Sequence, residues 1–171
     1  MKTKIQKIRE LLDELESELV KSEPTTLTVD FPELTAKEIM EQCDNKVAGG
    51  KLLYNIDWYK DEDFFTTEKT RKGKRTIDLE LLHKGKSWNK CNVLKGDKEM
   101  LNFPEVVYLL ANYQEFRDLL TSYKYTWTSS RDSSGLLLFV GFFVEGGANV
   151  NRWYPRVRDD VALGVCFSRS E

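Results

Sequence analysis

Residues 127–169 read WTSSRDSSGLLLFVGFFVEGGANVNRWYPRVRDDVALGVCFSR, and how this stretch folds decides the architecture of the chain. Every lysine lies at or before Lys124. Beyond it, positive charge comes only from Arg131, Arg152, Arg156, Arg158 and Arg169. Phe139, Phe142, Phe143, Trp153 and Tyr154 are interleaved with Ser133, Ser134, Gly135, Gly141, Gly146, Gly147, Asn149 and Asn151. Loss of lysine with gain of arginine and aromatic rings marks interface cores. Rigid rings among Ser, Gly and Asn are also the make-up of a paratope. A glycine-rich buried hairpin has the same composition, so interface and core both stay open at this level.

Alternation sharpens the choice. Residues 136–144 form the most hydrophobic run of the chain. Successive side chains of a strand point to opposite faces, so Leu136, Leu138, Val140 and Phe142 share one face and Leu137, Phe139, Gly141 and Phe143 the other. Both faces are apolar. Either the strand is buried on both sides or one face is an exposed sticky patch. Residues 125–129 read as a strand before it. Gly146-Gly147 is a turn where positive φ is cheap. Residues 149–154 form a second short strand before Pro155, and residues 161–167 a closing strand in which Cys166 is a small buried hydrophobe.

Upstream, residues 3–21 carry Ile5, Ile8, Leu12, Leu15 and Leu19 at 3-4-3-4 spacing among charged positions, the seam of an amphipathic helix. That seam either packs on its own domain or joins copies of the chain, which allows a homo-oligomer through residues 3–21. Pro24 ends the helix. We therefore divide the chain into an N-terminal helical segment, residues 1–22, and a domain over residues 25–171. Residues 26–31 alternate as a strand, and Thr35 with Glu38 forms a capping box opening a helix to about Cys43. Residues 51–58 and 76–82 are strand candidates. Pro104 sits in the first turn of a second helix, with a break near Asn112. Two helices among short strands give an α+β fold rather than a repeating βαβ one.

Composition and charge exclude several functions. The formal charge of −2 lacks the basic stripe of a dedicated nucleic-acid binder. The basic run at residues 69–75 (KTRKGKR) reads as a solvated hairpin tip around Gly73. No stretch approaches the apolar length of a membrane span, and the N-terminus lacks the apolar core of a secretory signal, so a cytoplasmic setting is the default. Cys43, Cys91 and Cys166 are odd in number and widely spaced, which suggests neither a disulfide framework nor a metal site. With His83 the only histidine, a zinc site or a His-based catalytic pair is disfavoured.

The C-terminal residues carry a resemblance. A Trp-Ser strand opening (Trp127-Thr128-Ser129-Ser130-Arg131) precedes an irregular Ser/Gly segment, an aromatic-bearing strand, a Gly turn, an Asn-Val-Asn strand and a terminal Gly164-Val165-Cys166-Phe167-Ser168-Arg169. This resembles the C-terminal half of the C-type lectin fold in its formylglycine-generating-enzyme-like branch. Within that branch it is most similar to the variable proteins of diversity-generating retroelements. The resemblance is specific over about 45 residues. It implies a C-type lectin fold with two helices and short antiparallel strands, preceded by the N-terminal amphipathic helix, and a variable region at about residues 127–169.

The function it implies is non-catalytic binding through a diversified surface, with an unknown protein or surface ligand as partner and no cofactor, metal, nucleic acid or catalytic residue. Scaffold residues would be Trp127, Val140, Phe142, Val150, Leu163, Val165 and Cys166. The ligand-facing set would be drawn from Asp132, Ser133, Ser134, Leu137, Phe139, Gly141, Phe143, Asn149, Asn151, Arg152, Tyr154, Val157 and Asp160. Trp153, which adenine mutagenesis of an asparagine codon does not reach, joins them as a rim or core residue. Two other readings stay open: a structural or phage-tail-like domain of this fold, and a formylglycine-generating-enzyme-like enzyme. The enzyme needs reactive thiols, and the C-terminal half holds only Cys166, between Val165 and Phe167. Calcium-dependent sugar binding is disfavoured because Trp88-Asn89-Lys90 sets a cation where a carboxylate is required.

Overall fold

The computed structural model describes Lys7, residues 25–156 and residues 162–171. Apart from Lys7, the expected helix at residues 3–21 lies outside the described residues, as do the candidate positions Val157 and Asp160 and the side chain of Phe142.

The domain begins with strand β1 (Thr26–Phe31), whose alternation buries Val29 and Phe31. Helix α1 (Ala36–Gln42) starts where the Thr35–Glu38 capping box satisfies two end donors. The Glu38 N–H donates to Thr35 Oγ1 at 3.1 Å and the Thr35 N–H to Glu38 Oε2 at 2.8 Å. A short hairpin, β2 (Lys46–Val47) with β3 (Gly50–Lys51), follows. The strand expected over residues 51–58 stops at Lys51. The Asn45 side chain ties off the backbone of Leu53, accepting its N–H at 2.8 Å and donating to its carbonyl at 3.1 Å. The chain then loops to α2 (Asp63–Thr66), too short to show helical periodicity.

Tyr59 in that loop packs edge-on against Phe65 and Phe103, and its hydroxyl is buried with no hydrogen-bond partner among the described residues. Burial raises its pKa. Tyr59→Phe removes an unsatisfied group and should raise stability by about 1 kcal/mol, read as an increased urea midpoint; a decrease would mean that the hydroxyl is hydrogen-bonded in solution.

Strand β4 (Gly73–Asp78) pairs antiparallel with β1 along its whole length. The expected hairpin tip at residues 69–75 is a correction. Gly73 (φ +118°) does begin a strand, but Arg71 and Arg75 are tied into a carboxylate network, both bonded to Glu99, with Arg71 also on the buried Glu105. Helix α3 (Trp88–Leu94), capped by Ser87, and strand β5 (Glu99–Met100) lead to α4 (Phe103–Asn112), whose Asn102–Glu105 capping box and Pro104 set its start. Tyr113, in extended conformation, separates α4 from α5 (Gln114–Leu119), the break expected near Asn112. The described residues thus hold five helices rather than the two expected. The extra ones are single-turn or two-turn pieces without a readable apolar stripe.

The C-terminal strands are β6 (Tyr125–Arg131), β7 (Leu137–Val144), β8 (Gly147–Trp153), β9 (Leu163–Val165) and β10 (Phe167–Ser170). The single closing strand expected over residues 161–167 is two strands in two sheets, with Cys166 at the crossing. One sheet has order β1-β4-β10-β5, the other β8-β7-β6-β9, in which β9 runs parallel to β6. The fold is mixed α+β. One core joins the helices to Leu138, Val140, Ala148 and Val150. A second, smaller core lies on the opposite face of the C-terminal sheet around Trp127, Leu137, Leu163, Val165 and Phe167, with Cys91 of α3 and Met100 of β5. Strand β7 is therefore covered on both faces over most of its length. No helix among the described residues is long and apolar enough to cross a membrane.

Candidate recognition surface

Strand β8 forms an edge of the C-terminal sheet, and its two faces divide the expected ligand-facing residues. Trp58 on the neighbouring loop and the turn between β6 and β7 flank it on the side of Arg152; the side of Asn149, Asn151 and Trp153 continues onto Phe139 of β7.

The turn is organised by Asp132. Its carboxylate is fully buried, with Oδ1 accepting the N–H groups of Ser134 (2.9 Å) and Leu136 (2.8 Å) and Oδ2 accepting Arg152 Nη1 at 2.6 Å. Gly135 (φ +79°) supplies the left-handed residue that the turn requires, and its N–H donates to the Asp132 carbonyl at 2.9 Å. Arg152 is thereby held across the strand, its guanidinium 4.9 Å from the ring centre of Trp58 and its side chain 43% exposed. Ser133 is clamped from the same loop, with its N–H and hydroxyl donating to the two carboxylate oxygens of Glu62 at 2.8 and 2.9 Å. Ser134 and Asn151 are exposed, as is Tyr154, at 64% of its surface.

On the other face, Phe139 is half-buried in an aromatic cluster. Its ring centre lies 5.6 Å from Tyr125, 5.4 Å from Trp127 and 6.1 Å from Trp153. The first two contacts are edge-to-face, the arrangement that ring quadrupoles favour. Asn149 is half-buried beside this cluster and Trp153 closes it as a rim residue.

Four expected ligand-facing positions are corrected by the structure. Leu137 is completely buried, because α3 and β5 cover that face of the sheet. Phe143 is buried in the opposite core with Leu138 and Val140. Simple alternation puts it on the other face, but the register shifts between Gly141 and Val144, and the Phe143 N–H leaves the ladder to donate to the Leu120 carbonyl at 3.2 Å. Gly141 is buried where a β-carbon would lie 2.0 Å from the Lys124 carbonyl oxygen, so the position admits only glycine without backbone movement. Asp132 is a buried organiser rather than a presented side chain.

The sequence reading missed Trp58 and Glu62. Each precedes the residue it meets by 71 positions or more, and only the fold brings them to Arg152 and Ser133. Tyr54, exposed on the same loop, lies over Gly146, where a β-carbon would approach its ring to 3.3 Å.

Burial pushes the Cys166 thiol up to about 12 and the Cys91 thiol up to about 11, the direction opposite to that of an activated nucleophile. Among the described residues, no group of three or more His, Cys, Asp and Glu side chains is placed to hold a metal ion. No family model matches this chain, and neither a curated protein nor a solved structure matches it.

Proposed function

We propose that this chain is a non-catalytic recognition protein, a variable protein of a diversity-generating retroelement on a C-type lectin frame, that binds protein surfaces. One observation carries the reading. Trp127, Val140, Val150, Leu163, Val165 and Cys166, the scaffold residues whose side chains are described, are all buried, whereas Ser133, Ser134, Asn151, Arg152 and Tyr154 are exposed along one turn and one edge strand. A fixed frame with side chains presented from its rim allows specificity to change without a change in loop length. Arg152 stacked on Trp58, with Tyr154 nearby in the chain, has the Arg–aromatic character of an interface hot spot. The Asp132 pairing makes Arg152 a fixed anchor; the variable set is Ser133, Ser134, Asn149, Asn151 and Tyr154, of which Ser133 also meets Glu62. Self-association through residues 3–21 would multiply such surfaces and raise avidity.

Burial of Leu137 and Phe143 favours a second reading, a structural domain of the same fold without diversified binding. A displayed library randomised at Ser133, Ser134, Asn149, Asn151 and Tyr154 separates the two. Most members should stay folded, since substitutions at such sites usually change stability by no more than about 0.5 kcal/mol. The folded pool should yield binders to unrelated protein targets. A library that largely loses its fold, or a folded pool without binders, supports the structural domain instead.

A further inference from the structure

We propose that residues 3–21 fold back along β1 as a helix and seat the seam of Ile5, Ile8, Leu12, Leu15 and Leu19 on their own domain, over the groove between α1 and α4. That groove has a volume of about 420 Å³ and is lined chiefly by Pro32, Leu34, Ile39, Cys43, Tyr108 and Ala111. All of these except the buried Ile39 are left half-buried. An apolar groove of this kind receives the apolar face of an amphipathic helix.

The connection fits in length. Pro32 follows directly on β1, and Tyr108 packs on Phe31 with ring centres 5.4 Å apart, so the groove lies at the far end of that strand. From its first residue to its last, β1 spans about 17 Å. As a helix, residues 3–21 are about 28 Å long, and residues 22–25 leave a turn between the two. The half carrying Ile5, Ile8 and Leu12 therefore comes to lie beside Pro32 and Leu34. β1 is an outer strand of its sheet, the kind of edge that folded proteins shield. Lys7, which lies off the seam, is helical and exposed.

Charge selects this occupant and this direction. Residues 1–9 hold Lys2, Lys4, Lys7 and Arg9 and no acid, whereas residues 10–18 hold Glu10, Asp13, Glu14, Glu16 and Glu18 and no base. Folding back sets the basic half against residues 30–44, which carry Asp30, Glu33, Glu38, Glu41 and Asp44 with Lys37 as their only base. Glu33 and Asp44 meet Lys69 and Lys46, and Glu41 meets Lys37 at 4.0 Å, so this stretch stays net acidic even so. The same polarity of residues 3–21 opposes the helix macrodipole, and a helix of this length then depends on a packing surface. A parallel pair of copies would set like charges side by side over only about two and a half heptads. With the seam covered, copies carry their β8 surfaces singly, rather than in the assembly that a free seam would allow. None of this depends on those surfaces being diversified.

Cys43 reports on the groove, because Cys91 and Cys166 are buried. In the full chain its alkylation by iodoacetamide should be slow. Ile8→Asp with Leu12→Asp should speed it by about tenfold or more, while Cys91 and Cys166 stay unreacted. A short bismaleimide should link Cys43 within one chain in Ile8→Cys or Leu12→Cys, and not in Glu10→Cys, on the opposite face of the helix. If the double variant exposes all three thiols by unfolding, the linking pattern decides. Equal Cys43 rates in the parent and a folded double variant, or linking that does not depend on the helix face, would overturn the proposal. Protection or linking that rises with chain concentration would also overturn it, assigning the groove to the helix of a second copy.

Discussion

Replacing Glu105 with alanine should destabilise the fold by about 3–5 kcal/mol, the usual consequence of breaking a buried ion pair. Its carboxylate is wholly buried and accepts four hydrogen bonds. Arg71 donates from Nε at 2.8 Å, Nη2 at 2.7 Å and its backbone N–H at 3.2 Å, and the Asn102 N–H donates at 3.0 Å. The last of these is half of the capping box that starts α4, so one substitution removes both a helix cap and the counter-charge of Arg71. Arg71 keeps 35% of its side chain in solvent and retains Glu99, which places the expected loss in the lower part of that range. Glu105→Gln keeps some of the acceptors and should lose less. The loss appears as a lower urea midpoint at unchanged slope; a change below about 1 kcal/mol would show that the network carries little net stability.

Asp132→Ala should cost about 3 kcal/mol, since hydrogen bonds to a charged group contribute about 1.5–3 kcal/mol each and do not simply add. Three donors depend on this carboxylate: the Ser134 and Leu136 N–H groups and Arg152. Its loss frees the β6–β7 turn and releases Arg152 from its station over Trp58. Ser134→Ala, two residues away and exposed, should change stability by no more than about 0.5 kcal/mol. Equal effects for the two substitutions would refute the division of this turn into an organiser and presented residues. The division matters for function because both residues looked equally presentable in the sequence.

Some of the architecture is legible directly in the chain. The Thr35–Glu38 capping box and Pro104 mark real helix starts, and the alternation of residues 26–31 matches the burial of Val29 and Phe31. Other features escape local patterns for physical reasons. Alternation places Leu138 and Val140 together correctly, but it fails at Phe143 because a bulge inserts an irregular step that no residue type announces. The two apolar faces of β7 left burial and exposure open, and only the docking of α3 and β5 covers Leu137. Asp132 resembles any polar loop residue until its carboxylate is seen to bind two turn amides and Arg152. Gly141 reads as a permissive position, whereas the close approach of Lys124 makes it restrictive. Trp58 and Glu62 join the candidate surface only through long-range contacts.

The central claim is that a fixed frame presents a small set of replaceable side chains. Deep sequencing of the gene and its flanking DNA across a natural population tests it most directly. The expected result is a near-copy of the segment encoding residues 127–169 beside a reverse-transcriptase gene, with differences confined largely to adenines. Variation should fall on the codons of Ser133, Ser134, Asn149, Asn151 and Tyr154, and spare Trp127, Asp132, Leu137 and Gly141. Absence of such a copy, with substitutions spread evenly over buried and exposed codons, would contradict the account.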